Sequence, residues 1–130
     1  MTELTRDGKP RVVITGMGAM TPLGESVAEF WDGLTAGRSG VGPMRLADPT
    51  DYPCQVSGEV SDFDPERYIE KREARRMARF SQLAVAATQE AFRDAGITEG
   101  SVNGERMGVA LGNGNGGFPT IEENMRTLVD

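Results

Sequence analysis

Two short apolar runs, each ending in glycines, constrain the fold of this chain more than any other feature of its sequence. The first run covers residues 11–18, and the second, 107–111, leads into a glycine-rich loop at 112–117. Both runs carry aliphatic residues in succession, which is the pattern of a strand covered on both faces. Helical segments are predicted between them, so the sequence predicts an α/β fold with at least partly parallel strands.

Capping residues predict where the first two helices begin and end. Ser26 and Glu29 form a capping box, and the helix that they start is expected to end before Gly37. Asp64 and Pro65 have the residue types of a helix N-cap and first turn, so a second helix is predicted to begin there.

The strongest predicted helix covers residues 73–95. Its apolar face is rich in alanine, which indicates close packing against another element. A second capping box, Thr120 to Glu123, predicts a last helix that continues to the end of the sequence. Residues 38–53 are predicted to be irregular, and 55–60 to form a short edge strand.

Composition excludes several kinds of site. The 130 residues suffice for one ordinary domain, and their net charge of −6 disfavours nonspecific nucleic-acid binding. There is no histidine, which excludes a Ser-His-Asp triad, a Cys-His pair and zinc sites that use imidazole. The single cysteine, Cys54, therefore has no histidine to activate it and is interpreted as an ordinary thiol. No metal site and no cofactor is predicted.

The ends of the chain and its hydropathy suggest a location. Residues 1–10 form a polar lead-in, expected to be frayed, without the apolar core of a signal peptide. No apolar run has the length of a membrane span. We therefore expect a cytoplasmic protein that does not act on a membrane.

The glycine loop admits three interpretations. Gly112, Gly114 and Gly117 have the G-x-G-x-x-G spacing of a dinucleotide-binding turn, with a predicted strand before and a helix after. The acidic residue that such a site needs about twenty residues later would lie beyond residue 130. A tight strand-to-helix crossing and the lining of a substrate pocket are the other two interpretations.

A basic segment at residues 66–79 carries six cations against three carboxylates, a net charge of +3 in an acidic chain. Four of its arginines are spaced three or four residues apart and are expected to share a helix face: Arg72, Arg75, Arg76 and Arg79. The segment is either a solvated helix face or a surface for an acidic protein or phosphate-bearing carrier.

Four segments, in order, resemble the β-ketoacyl-ACP synthases, most closely the FabF-type (ketoacyl synthase II) branch. They are 12–24, 31–40, Phe63 to Asp64 with 72–77 and Phe80, and 112–117 with 121–124. The resemblance implies that residues 11–130 are an N-terminal segment of the ketosynthase N-terminal domain. The fold would be the N-terminal part of a thiolase-like layered αβαβα fold, incomplete in this chain.

The resemblance also implies a reaction, the decarboxylating Claisen condensation of an acyl group with malonyl-ACP in fatty acid elongation. Members of the family are usually dimeric and need no metal or nucleotide. Their nucleophilic cysteine and two histidines would follow residue 130, so no catalytic residue is expected in this chain. Alone, the 130 residues are expected to be inactive.

Six positions match family sites on the resemblance. Arg72, Arg75 and Arg76 match basic positions where the family docks acyl carrier protein, loaded with acyl or malonyl groups. The residues expected to border the acyl pocket are Asn115, Gly116 and Phe118.

The chain departs from the family at two positions. Asn115 stands where FabF-type members carry an apolar residue, and an amide there disfavours a long apolar chain packed against it. Ala78 stands where the family commonly has aspartate. Three alternatives remain open: a chain-length-factor-like partner without the nucleophile, a polyketide ketosynthase segment, and a nucleotide-binding domain.

Overall fold

The computed structural model describes residues 5–6 and 8–129 as a mixture of helices and short strands. The strands are β1 (Thr5–Arg6), β2 (Lys9–Pro10), β3 (Val41–Pro43) and β4 (Val56–Gly58). The α-helices are α1 (Val27–Thr35), α2 (Lys71–Ala74), α3 (Arg79–Asp94) and α4 (Phe118–Val129). Single 3₁₀ turns occur at Pro65–Arg67 and Gly104–Arg106. In the ranges described, no helix has both the length and the apolar character needed to cross a bilayer.

The strands form two antiparallel pairs. β1 pairs with β2 in the lead-in, whose residues 1–4 and 7 lie outside the described part of the chain. β3 pairs with β4, with Val41 opposite Gly58 and Pro43 opposite Val56. The edge strand predicted at 55–60 is confirmed, whereas the irregular structure predicted for 38–53 is wrong at β3. The predicted parallel pairing is also wrong for the described residues.

The two apolar runs are not strands in this structure. No strand is assigned at 11–18 or 107–111, and Val12 and Val109 are 95% and 87% exposed. A strand requires a neighbouring strand to complete its ladder of hydrogen bonds, and no described strand pairs with either run. The aliphatic pattern indicates strands buried on both faces, but the described part of the chain does not cover both faces of these runs.

The capping prediction for α1 is confirmed, with one change of partner. Ser26 Oγ accepts a hydrogen bond of 3.2 Å from the Glu29 amide. Glu29 Oε2 accepts one of 2.7 Å from the Glu25 amide rather than from Ser26. Gly37 follows the helix with φ of +67°, as predicted. Asp64 caps as predicted, but it caps a single 3₁₀ turn.

The small buried core lies where the 3₁₀ turn at Pro65–Arg67 meets α2 and α3. Its residues are Phe63, Ile69, Ala74 and Ala86, none of them more than 8% exposed. Phe63 stacks on Tyr68 with ring centroids 5.6 Å apart. Ile69 and Ala74 belong to the basic segment, so the basic segment is anchored in this core.

The helix predicted at 73–95 is interrupted. The backbone at Ala78 is extended, with φ −63° and ψ 151°, so α2 and α3 are separate. The side-chain amide of Gln82 bridges the break, because its nitrogen donates to the carbonyls of Ala74 (2.8 Å) and Met77 (3.3 Å). Bonds from a side chain back to the carbonyls of the preceding turns have no periodic signal in the sequence.

The alanine-rich face of α3 packs closely against the glycine-containing end of the first apolar run, as the predicted close packing of this face requires. A side chain at Gly16 would place its Cβ 2.6 Å from the Ala95 nitrogen. One at Gly18 would lie 2.9 Å from the Ala91 nitrogen, and in contact with the carbonyl of Ala87. Real Cβ atoms do not approach backbone so closely, so both positions require glycine.

Two carboxylates of α3 hold the same segment in place. Glu90 accepts hydrogen bonds of 2.8 Å from the backbone amides of both Ala19 and Val27. Asp94 accepts one of 3.0 Å from the Met17 amide. Glu90 therefore joins α3 to the first turn of α1.

The last helix begins earlier than predicted. α4 starts at Phe118, directly after Gly117 with φ of +95°, and the Ile121 amide donates to the Gly117 carbonyl at 3.0 Å. Thr120 lies inside the helix, so the capping box predicted there is wrong.

The open N-cap of α3 predicts a stabilising substitution. Ala78 has N-cap backbone geometry but no side chain that accepts from the first turn. We expect Ala78→Asp to raise the free energy of unfolding by about 1 kcal/mol, measured by urea unfolding of the full-length protein. Ala78→Asn should give a similar gain, because it caps without adding charge beside the arginines. If neither variant gains stability, the cap assignment is wrong.

Candidate functional site

Three exposed arginines, Arg72, Arg75 and Arg76, form what we call the arginine surface. Glu70 caps the N-terminus of α2, because its carboxylate accepts hydrogen bonds from the amides of Arg72 (3.0 Å) and Glu73 (3.3 Å). Within residues 5–6 and 8–129, no carboxylate lies within 4.0 Å of the three guanidinium groups. Their charge is therefore available to a partner.

The other cations of the basic segment are engaged within the chain. Arg67 pairs with Glu25 at 2.6 Å, and Lys71 pairs with Glu66 at 3.0 Å. Arg79 donates to the carbonyls of Val60 (2.6 Å) and Phe63 (3.0 Å).

Arg79 has a structural role as a consequence. Its guanidinium also lies over the Phe63 ring, 4.8 Å from the ring centroid, which is a cation–π contact. The break at Ala78 separates Arg79 from α2, so the prediction that it shares a face with Arg72, Arg75 and Arg76 is wrong.

The glycine loop is closed by one side-chain hydrogen bond. Asn113 Oδ1 accepts from the Gly116 amide at 3.1 Å. Asn115 occupies the left-handed region with φ of +55°, which asparagine tolerates better than most residues. Its side chain is exposed and makes no hydrogen bond to any residue in the described ranges.

The loop rests on the start of α3. A Cβ at Gly116 would lie 2.9 Å from Cδ1 of Phe80, and one at Gly117 would lie 3.1 Å from its Cε1. The Gly117 position is also 3.7 Å from Cβ of Ala78. The structure thus brings Gly116 beside the residues that follow the arginine surface, while Asn115 and Phe118 (63% exposed) face solvent.

Sequence reasoning missed both supports of this loop. The hydrogen bond of Asn113 could have been predicted, because an asparagine at the start of a glycine-rich turn commonly closes the turn with its side chain. Phe80 lies within the helix predicted at 73–95, but no local pattern reveals that its ring meets Gly116 and Gly117.

A cleft of about 460 Å³ lies elsewhere, between the turn at 21–25, the β3–β4 pair and residues 59–62. Its central acid, Glu59, accepts from Ser57 Oγ (2.8 Å) and from the amides of Arg45 (2.9 Å) and Leu46 (3.1 Å). Burial alone would raise the pKa of Glu59. These hydrogen bonds and the charge of Arg45 outweigh it and hold the pKa below its ordinary value.

The charged groups of the cleft bind one another, since Arg45 also pairs with Asp62 at 3.3 Å. We interpret the cleft as a joint between the β3–β4 pair and the loops beside it. A second cleft, of about 290 Å³, follows the outer side of α4. Neither is lined by Asn115, Gly116 or Phe118.

Comparison with known proteins assigns the family. Residues 9–129 match the family model described as beta-ketoacyl synthase, N-terminal domain. The chain belongs to the β-ketoacyl synthase family. The resemblance noted in the sequence is thereby confirmed, and so is the predicted fold class.

Relatives within the β-ketoacyl synthase family share about four residues in ten with this chain. The 3-oxoacyl-[acyl-carrier-protein] synthase 2 of Synechocystis sp. is 42% identical over 94% of the chain. Proteins of the same name from Coxiella burnetii and Vibrio cholerae are 41% and 39% identical over 93% and 94% of it. The chain spans only 29% to 30% of the length of these relatives.

One solved structure is similar in fold to this chain. It is described as the ishigamide ketosynthase/chain length factor, and it superposes with a TM-score of 0.62 at 41% identity. The superposition covers 67% of this chain and 22% of the other. Part of a ketosynthase domain is therefore present, with its first apolar runs lacking the neighbours that a complete sheet supplies.

Proposed function

We propose that the full-length protein is a 3-oxoacyl-[acyl-carrier-protein] synthase that condenses an acyl group with malonyl-ACP, with loss of carbon dioxide, in fatty acid elongation. One observation carries this proposal: relatives of that name are 39% to 42% identical over more than nine tenths of the chain. In this proposal residues 11–130 form a segment of the N-terminal domain that contributes carrier-docking and acyl-pocket residues. The nucleophile would lie in the part of the protein that follows.

The arginine surface supports a carrier-docking role. Arg72, Arg75 and Arg76 are exposed and carry no ion pair in the described part of the chain, although the chain as a whole is acidic. A patch of positive charge on an acidic protein attracts an acidic partner and orients it, while the rest of the surface repels that partner. We propose that the partner is the acyl carrier protein, loaded with an acyl or malonyl group.

The glycine loop supports an acyl-pocket role. Gly112 and Gly114 have open space where a side chain would lie, so a ligand chain can approach the loop backbone there, and Asn115 projects from the loop into solvent. We propose that Asn115, Gly116 and Phe118 form one wall of the acyl pocket. The opposite wall would come from residues outside this chain.

A homodimer in the cytoplasm completes the proposal. It rests on the family resemblance. The exposed apolar residues Phe118, Ile121 and Met125 on α4 favour coverage by further protein. Sedimentation of the full-length protein tests the dimer.

A condensation assay tests the proposed reaction. The full-length protein, given acyl-ACP and malonyl-ACP, should form 3-oxoacyl-ACP and release carbon dioxide, whereas the 130-residue chain should show no turnover above background. Absence of turnover by the full-length protein would contradict the reaction. Turnover by the short chain would contradict the assignment of the nucleophile to later residues.

A chain-length-factor-like partner is the second candidate, because the similar solved structure bears that description alongside ketosynthase. Such a protein would bind the carrier or a ketosynthase without condensing anything itself. A cysteine at the nucleophile position of the full-length sequence favours the enzyme, and a glutamine there favours this candidate.

The side chain at position 115 is expected to affect chain-length preference. The Asn115 amide would have to give up water if a long acyl chain packed against it, and it has no hydrogen-bond partner among the described residues. We expect Asn115→Ile to raise kcat/KM for long acyl primers over short ones by about tenfold. Asn113→Ile is not a suitable control, because Asn113 closes the loop. Asn115→Ala serves instead, because it also places a residue other than asparagine in the left-handed conformation but adds little apolar surface. Identical primer profiles for wild type and Asn115→Ile would contradict the pocket assignment.

A further inference from the structure

Phe80 contacts the glycine loop and follows the last arginine of the arginine surface by four residues. Ala78, the N-cap of α3, follows Arg76 by two residues, and the Phe80 ring lies against the backbone of Gly116 and Gly117. Because these glycines have no side chains, the ring touches the loop backbone directly. A displacement of the start of α3 would therefore move the Phe80 ring relative to the loop backbone.

The segment between the arginines and Phe80 is clamped at both ends. Gln82 ties the carbonyls of Ala74 and Met77 to α3. Arg79 ties the start of α3 to the carbonyls of Val60 and Phe63. These bonds lie on both sides of the break at Ala78 and restrict the motion of α2 relative to α3.

The glycine loop is loosely held apart from this contact. A Cβ at Gly112 or Gly114 would have no atom within 4 Å, so these positions lie in open space among the described residues. The single side-chain bond from Gly116 to Asn113 is exposed to solvent. A segment with few packed neighbours opens at low free-energy cost, so its motion responds to small changes at its one packed side.

We propose that Phe80 is a positioning residue that couples the arginine surface to the glycine loop. Binding of an acidic carrier at Arg72, Arg75 and Arg76 steadies the start of α3 and, through the Phe80 ring, restricts the motion of residues 112–117. The loop that borders the acyl chain is thus ordered when a loaded carrier arrives. This inference rests on the proposed function for the identity of the partner and adds a regulatory link within the same site.

Hydrogen–deuterium exchange of the full-length protein, with and without holo acyl carrier protein, tests the coupling. The readout is the exchange rate of peptides that cover residues 112–118, compared between wild type and Phe80→Leu. Phe92→Leu is the matched control, because Phe92 lies on the same helix about three turns away from the loop. Binding affinity is measured on the same samples.

We expect the carrier to slow exchange at 112–117 by about threefold or more in wild type and Phe92→Leu. In Phe80→Leu the slowing should disappear, while carrier affinity stays within about twofold of wild type. Phe80→Tyr should retain the response, because it keeps the ring. If Phe80→Leu fails to fold, Phe80→Met serves in its place, since it fills the site without a rigid ring.

The possible outcomes distinguish a failure of the coupling from a failure of the proposed docking function. If the carrier does not bind wild type, the docking proposal fails and the coupling fails with it. If the carrier binds through the arginines but leaves exchange at 112–117 unchanged, the coupling alone is wrong. An equal response in wild type and Phe80→Leu would overturn the role of Phe80.

Discussion

Reversing the charge of the arginine surface, with Arg72→Glu, Arg75→Glu and Arg76→Glu together, is expected to weaken carrier binding by on the order of 100-fold, or about 2.7 kcal/mol. The three guanidinium groups are exposed and have no carboxylate partner in the described ranges, so reversal replaces attraction to an acidic carrier with repulsion. The folded structure should tolerate the change, because the buried core beneath lies at Phe63, Ile69 and Ala74. Affinity is measured by titrating carrier protein into the full-length protein.

A second triple variant controls for net charge. Arg38→Glu, Arg93→Glu and Arg106→Glu alter the charge by the same amount at exposed positions outside the arginine surface. This variant should lose no more than about fivefold in affinity, because long-range repulsion is screened beyond about 10 Å at 0.1 M salt. The affinity of wild type should fall as salt is added, and that of the arginine-surface variant should depend on salt much less. Equal losses in the two variants would show that the arginine surface is not the docking site.

Removing the carboxylate of Glu90 is expected to cause the largest loss of stability among the substitutions considered. Glu90 is half-buried, and both of its oxygens accept backbone hydrogen bonds, one from Ala19 and one from Val27. Glu90→Ala leaves two part-buried amides without an acceptor, at a cost of about 3 kcal/mol in the free energy of unfolding. Urea unfolding of the full-length protein measures the loss.

Two variants calibrate that result. Glu90→Gln keeps one acceptor oxygen and should lose about half as much as Glu90→Ala. Glu99→Ala removes an exposed carboxylate just beyond α3 and should change stability by no more than about 0.5 kcal/mol. A loss below about 1 kcal/mol for Glu90→Ala would mean that Glu90 does not hold α3 to α1.

Local chemistry predicted the local structure well. Ser26, Asp64 and Gly37 act within a few residues of themselves, and each caps or ends an element as its residue type indicates. The alanine face of α3 was also predicted, because small residues at helical spacing record close packing whatever the partner is. That its partner is the backbone at Gly16 and Gly18 required the structure.

Features that depend on distant residues were predicted poorly. The runs at 11–18 and 107–111 have the composition of buried strands, but a strand forms only beside a partner, and the described residues supply none. The break before α3 depends on the extended backbone at Ala78 and on the bridge from Gln82, neither of which changes the helical periodicity.

In the candidate site, too, exposure could be predicted from the sequence, whereas contacts with distant residues could not. Exposure of Arg72, Arg75 and Arg76 agrees with the interpretation of a charged face, and their role in docking stays a prediction. Arg79 was grouped with them on spacing alone, and its bonds to Val60 and Phe63 remove it from the surface. The acyl-pocket role of Asn115, Gly116 and Phe118 likewise stays a prediction.

The central claim is that this segment docks the carrier and contributes no catalytic group. It is tested most directly by comparing two primers in the full-length protein: a carrier-bound acyl group and the N-acetylcysteamine thioester of the same acyl group. In both assays the malonyl group is supplied as its N-acetylcysteamine thioester, so that only the primer differs in its need for carrier docking. The arginine-surface variant should lose on the order of 100-fold in kcat/KM for the carrier-bound primer and stay within about twofold of wild type for the carrier-free thioester. Equal losses on both substrates, or no loss on either, would contradict the account.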